Sequence, residues 1–431
     1  MLGTFLVYSG MNKPEPQQFP SVCFLVVLLL MLTSVGKGQV KSPASCAPSS
    51  WHRIGSASAT DNSDLAFLKT LLKDKRVVLL GESSHGIGNY YSLKSRIIQY
   101  LHQECGFEVL AMESGIADIA LTYKYVDTFS AKGLRNKTVF GNFQCEEIMP
   151  LFEYIKKTAG SKKPLIYAGF DSQNFSSSME LVEKILHEKW GGTGDSLVGC
   201  LVKYFRIPSI MWNEDRKPLI AIADSITGAS NMILAMFRDS ALSIQKDYSL
   251  TATDMRYLQL ALENNREGVN LDWYKEDVSS HRDKLMAKNL FWLMDSLYPG
   301  KKVVIWAHNG HIGKTSVEGN PYKWLGQFVN EKYRQQSYHI GLFAKEGETY
   351  EWWTKSNKAF LNDKADDIEM LSSFADITFV SLRDAAKSCN WPLKKAYAFE
   401  LENGGRISFV PTQRFDAVIT FKKATLPTYN R

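Results

Sequence analysis

The 431-residue chain has little cysteine: six residues, widely spaced, with no C-x-x-C pair. That excludes a cysteine-rich zinc site and a multi-bridge disulfide scaffold. Cys23 lies in the N-terminal segment; Cys46, Cys105, Cys145, Cys200 and Cys389 are odd in number and leave at least one thiol free. Internal repeats and low-complexity tracts are absent, which excludes solenoids and compositionally biased arrays. Charge of one sign is not in strong excess. The 51 Lys and Arg against 45 Asp and Glu give +6, spread along the chain, a poor match to nucleic acid or acidic membrane. Beyond the N-terminus no stretch reads as long and apolar enough to span a bilayer. What is present is the composition of a folded protein: 45% hydrophobic, 12% aromatic and 22% charged, with 29 Gly and 14 Pro. The length suits two to three domains, or one large α/β domain with an insert.

Residues 22–32 form an unbroken apolar run, too short to cross a bilayer. Weakly basic sequence (Lys13) precedes it, and Gly36 and Gly38 occupy the −3 and −1 positions before Gln39. This predicts a secretory signal peptide over 1–38, a secreted or periplasmic protein, and no stable membrane insertion once the signal is cleaved. An uncleaved anchor is the alternative. Asn136-Lys-Thr and Asn174-Phe-Ser are glycosylation acceptors if the source is a eukaryote.

Residues 39–60 are small and polar and read as a leader. Short β-branched runs then alternate with helical patterns, which predicts an α/β fold with a largely parallel sheet flanked by helices. The expected strands are 76–80, 108–112, 164–169, 302–307, 337–343 and 415–421. Residues 179–190, 217–243, 253–265 and 280–297 have helical periodicity. The organisation predicted is an α/β catalytic core from 61–178 and 300–431, with a helical insert over 179–299 forming one wall of the active-site cleft. Trp190-Gly-Gly-Thr-Gly is the expected turn within that insert.

Four expected strands end alike, running into Gly81-Glu82-Ser83-Ser84-His85-Gly86, Glu113-Ser-Gly, Asp171-Ser-Gln and His308-Asn-Gly-His311. Ligands of open α/β sheets bind beyond the carboxyl ends of the strands. If these strands are parallel neighbours, Glu82, His85, Glu113, Asp171, His308 and His311 share one crevice. One acid after a strand is usually a helix cap; four strands repeating the pattern are hard to read as capping alone. A histidine held by a carboxylate is what general base catalysis on water needs. Gly81-Glu-Ser-Ser-His departs from the G-x-S-x-G nucleophile elbow, since position 85 is His. Gly313-Lys314-Thr315 ends like a phosphate loop, but His308 stands where that loop needs glycine. Without H-E-x-x-H, His308-x-x-His311 is the remaining spacing for a metal.

At these same residues the chain resembles the erythromycin esterase family. The matching pieces are Gly81-Glu-Ser-Ser-His-Gly, a helix with Lys94 and Arg96, Gly106-Phe-x-x-Leu-Ala-x-Glu113 and Gly169-Phe-Asp171. After them come Arg282-Asp-x-x-Met-Ala-x-Asn289, Trp306-Ala-His-Asn-Gly-His311 and Arg414-Phe-Asp-Ala-Val418. The resemblance implies a hydrolase without metal or other cofactor that opens a macrolide lactone by activating water, with no covalent serine. It assigns His85 as general base and Glu82 as its orienting group, with Glu113 and His308 completing the catalytic set. Lys94, His311 and Asp171 would bind substrate, a small-molecule ester or lactone. Lys94 falls where the family's macrolide enzymes carry arginine, keeping the charge and losing the planar fork. Two rival functions use the same crevice: a non-catalytic binder of a porphyrin or glycan, and a metal-dependent hydrolase.

Overall fold

The computed structural model describes residues 50–174, 176–202, 217–269, 278–352, 354–400 and 405–429. The expected signal peptide and residues 39–49 of the leader lie outside them. The rest of the leader is not loose: Trp51–Ile54 (β1) pairs antiparallel with Ile377–Ser381 (β8) at one edge of the main sheet.

Six strands form the parallel centre: Val77–Leu80 (β2), Phe107–Gly115 (β3), Ile166–Asp171 (β4), Lys302–Trp306 (β5), Ser337–Glu351 (β6) and Ala417–Ala424 (β11). Their order across the sheet is β11-β6-β2-β5-β3-β4, so the four strands with chemistry at their ends are contiguous parallel neighbours. β8 is antiparallel to β11, and Ser356–Leu361 (β7) folds back on β6. Ala396–Glu400 (β9) and Gly405–Phe409 (β10) make a separate two-stranded sheet.

The strands are continuous apolar runs because the sheet is covered on both faces. Val77, Leu79, Val303 and Ile305 look into one apolar cluster; Val78, Leu80, Val304 and Trp306 look into another. Gly88–Cys105 packs in the second cluster. That helix stops at Gly106, whose φ of 72° is the left-handed turn that ends helices and suits glycine. The first cluster is closed by the helical region, through Ile226, Ile233, Phe237, Leu258, Leu262, Met286 and Leu290. The insert therefore covers one face of the sheet and shares its core. Ile220–Asp239 does have the length and apolarity of a membrane span, contrary to the sequence reading. Its inward face is core, with Ile226, Ile233 and Phe237 fully buried. The expected turn at Trp190-Gly-Gly-Thr-Gly is a kink inside Ser177–Leu201, at Gly191 (φ 52°). Asn174 is wholly buried and bonded to Ala117 N–H, which leaves it closed to glycosylation in the folded chain.

Candidate active site

The turn after β2 needs glycine at 81, because a Cβ there would sit 2.0 Å from Asn309 Oδ1. Asn309 ties this turn to its neighbours: its N–H donates to Glu82 O at 2.8 Å, and its side-chain amide donates to Leu342 O at 2.8 Å. Glu82 is thereby held fully buried behind His85. Its Oε1 accepts from His85 Nδ1 at 3.0 Å and from Trp306 Nε1 at 3.4 Å; its Oε2 accepts from the Lys94 ammonium. Burial works to raise the Glu82 carboxyl, but Lys94 and His85 outweigh it and hold it below the usual range.

Lys94 is itself wholly buried, its ammonium 4.1 Å from the centre of the Trp306 ring. Burial pushes it down to about 8 against the pull of Glu82. In this position the Lys94 ammonium is paired with the buried Glu82 carboxylate.

Glu113 sits where the β3–β4 register shifts between Met112 and Gly115. Such an irregularity re-aims a side chain at a strand end. Its Oε2 accepts the His308 backbone N–H at 2.9 Å, and its Oε1 accepts from Arg282 Nη2 at 3.0 Å and lies 3.3 Å from His311 Nε2. Burial would raise this carboxyl, yet His311 and Arg282 hold it well below the usual range. Asp171, fully buried at the end of β4, takes the Arg282 guanidinium through both oxygens. Burial opposes the charge on Arg282, and Asp171 and Glu113 overcome that and raise its pKa.

His308 begins the short helix Asn309–Ile312, and its Nδ1 accepts from Gly310 N–H at 3.0 Å. A neutral ring that accepts at Nδ1 carries its proton on Nε2. That Nε2 is buried with no hydrogen-bond partner among the described residues. His85 is the reverse case. Its Nδ1 donates to a carboxylate, and in the neutral ring the lone pair is then on Nε2. The two rings are 5.2 Å apart, and the His85 side chain is 18% exposed. One ring thus offers an acceptor and its neighbour a donor.

The structure brings Glu82, His85, Glu113, Asp171, His308 and His311 together at four neighbouring strand ends. Ser83 and Ser84 bond to Tyr90 and Thr349, at 3.0 and 2.7 Å. Among the described residues no group of three or more His, Cys, Asp or Glu is placed to hold a metal ion. Sequence reasoning did not single out Arg282 and Asp283, on the Val278–Trp292 helix, as site residues. Charged neighbours in a helical pattern usually face solvent; their only signal was their place in the Arg282-to-Asn289 motif.

The erythromycin esterase family model matches residues 102–424, starting after the Gly81–Gly86 turn. A Bacillus subtilis (strain 168) protein named as a hydrolase, YbfO, is 28% identical over 321 residues, covering 68% of this chain and 70% of its own length. Erythromycin esterase type II of Escherichia coli is 20% identical over 271 residues, 59% of this chain and 64% of its own. Among solved structures, a succinoglycan biosynthesis protein (TM-score 0.66, 16% identity) covers 89% of this chain and 96% of its own. A point mutant of the erythromycin esterase EreC in its open conformation (TM-score 0.61, 16% identity) covers 88% and 98%. These two share the fold, and the match of the family model over three quarters of the length places the chain in the erythromycin esterase family.

Proposed function

We propose that the protein is an exported hydrolase that cleaves a carboxylic ester, a macrocyclic lactone among the candidates, with water activated by His85. The observation that carries this reading is the opposed pair of rings, His85 held by Glu82 and His308 held by Gly310 N–H. Water gives a proton to His85 Nε2 as its oxygen attacks the ester carbonyl carbon. The carbonyl oxygen becomes an oxyanion, met by the Nε2–H of His308. Collapse breaks the bond to the alkoxide, and His85 returns the proton to that oxygen. Glu82 fixes the tautomer of His85 and stabilises it while charged.

Export is supported by the signal-like N-terminus and by Cys389, which is disulfide-bonded; Cys105, Cys145 and Cys200 are free. Disulfides persist mainly in oxidising compartments. The reading is tested with residues 39–431 on 14- and 16-membered macrolides, aryl esters and acylated glycans, with chelator and His85→Ala controls. Hydrolysis that survives chelation and disappears in His85→Ala is the expected result. Ligand binding without turnover on every ester would favour the binder, and loss of activity on chelation the metallohydrolase.

A further inference from the structure

His311 lies where three elements meet. It belongs to the short helix after β5, faces Asp283 of Val278–Trp292 on one side, and faces Glu113 at the end of β3 on the other. Its Nδ1 is 2.9 and 2.8 Å from the two Asp283 oxygens, and its Nε2 is 3.3 Å from Glu113 Oε1. A neutral imidazole has one N–H and one lone pair. Nδ1–H donates to Asp283; at Nε2 a neutral ring would accept from Arg282 Nη1 and a charged ring would donate to Glu113, and three carboxylates, Asp283, Glu113 and Asp171, against the one Arg282 guanidinium favour the charged ring. The opposing group is Arg282, with Nη1 3.2 Å from His311 Nε2, and it is itself drawn to Asp171 and Glu113. The His308 and Trp324 rings complete the surroundings at 6.5 and 6.1 Å. Asp283 is wholly buried and also accepts Leu325 N–H at 2.7 Å, so its carboxylate is anchored by something other than the ring it faces.

We propose that Asp283 is a positioning residue that keeps His311 a fixed imidazolium, so that His311 works as a standing cation and N–H donor beside Glu113 and never as a base. The charge state stands on the placement of Asp283 and Glu113 about the ring and on the excess of carboxylates over the one guanidinium there; its kinetic consequence rests on the hydrolase reading above. Burial works to lower this ring, and Asp283 and Glu113 raise it to about 10. The charge is therefore complete at neutral pH and is lost as pH rises through about 10. The three histidines then differ in state: His85 an acceptor at Nε2, His308 a donor at Nε2, His311 a cation.

The test is a 15N NMR titration of the histidine rings in wild type, Asp283→Asn and Asp283→Glu, with the pH profile of kcat/KM measured on the same proteins. Wild-type His311 is expected to keep both ring protons through pH 8.5. In Asp283→Asn its titration should fall by about 1–3 pH units, and Asp283→Glu should restore part of the shift. The alkaline limb of kcat/KM should move down in step, whereas a merely structural role would lower activity equally at every pH. Glu113→Gln removes the other carboxylate and should shift the ring in the same direction if Asp283→Asn fails to fold. A wild-type His311 that titrates in the ordinary histidine range overturns the proposal, even in an active esterase. The expected titration in a protein that hydrolyses no ester would uphold it while ending the hydrolase reading.

Discussion

Replacing Lys94 with methionine keeps most of the apolar stem and removes only the ammonium. The loss falls on Glu82, which is fully buried and would keep two donors, His85 Nδ1 at 3.0 Å and Trp306 Nε1 at 3.4 Å. Removing one partner of a buried ion pair costs about 3–5 kcal/mol, because the other charge is left without compensation. The ammonium also lies 4.1 Å from the Trp306 ring centre, a contact worth about 2 kcal/mol when desolvated and part of that same total. Lys94 is the largest influence holding the Glu82 carboxyl down, so Glu82 in Lys94→Met takes up a proton more readily and loosens its hold on His85. Urea unfolding followed by tryptophan fluorescence should therefore show Lys94→Met destabilised by about 3–5 kcal/mol. The double variant Lys94→Met with Glu82→Gln removes both charges and keeps an acceptor for His85 Nδ1–H. It should recover most of that stability while ester hydrolysis stays low. A Lys94→Met protein within about 1 kcal/mol of wild type, or a double variant no more stable than the single one, would show that Lys94 does not compensate a buried Glu82 charge.

His85→Ala should reduce kcat by about 10²–10⁴-fold, the range for a lost general base, and His308→Ala by about 10²–10³-fold, the range for a lost oxyanion donor. Both proteins should remain folded by circular dichroism, and normal turnover in either would remove that residue from the catalytic set. Glu369 offers a test of stability away from the crevice. Burial raises its carboxyl to about 8 despite the bond from Phe399 N–H, and its Oε2 has no hydrogen-bond partner among the described residues. Its pKa is higher in the folded state than in the unfolded chain, so it erodes stability as pH rises from about 4.3 towards 8. Glu369→Gln should then match wild type near pH 4 and exceed it by about 4 kcal/mol near pH 7.5 in urea unfolding; equal stability at both pH values would refute the assignment.

The six parallel strands were legible because burial on both faces writes each as a short β-branched run, and Val77–Leu80 and Lys302–Trp306 fall within residues of the expected bounds. β1, β7, β8, β9 and β10 were not legible. Trp51–Ile54 follows a small polar stretch and is fixed as a strand by its partner Ile377–Ser381, which no local pattern reveals. The site divides the same way. Glu82, Glu113, Asp171 and His308 follow directly from strand ends. Arg282 and Asp283 reach the crevice from a helix more than a hundred residues away from Asp171 in sequence, so only tertiary packing shows their role. The pairing of Lys94 with Glu82 belongs with these, since it depends on burial against Trp306 that the helix sequence does not show.

The proposed hydrolysis turns on two neighbouring histidines in opposite tautomers, and the most direct measurement is the ring 15N and proton spectrum of His85 and His308 at neutral pH. The structure predicts His85 protonated at Nδ1, bonded to Glu82, and His308 protonated at Nε2, accepting from Gly310 N–H. Both rings protonated on the same nitrogen, or His308 without its proton on Nε2, would contradict the assignment of base and donor.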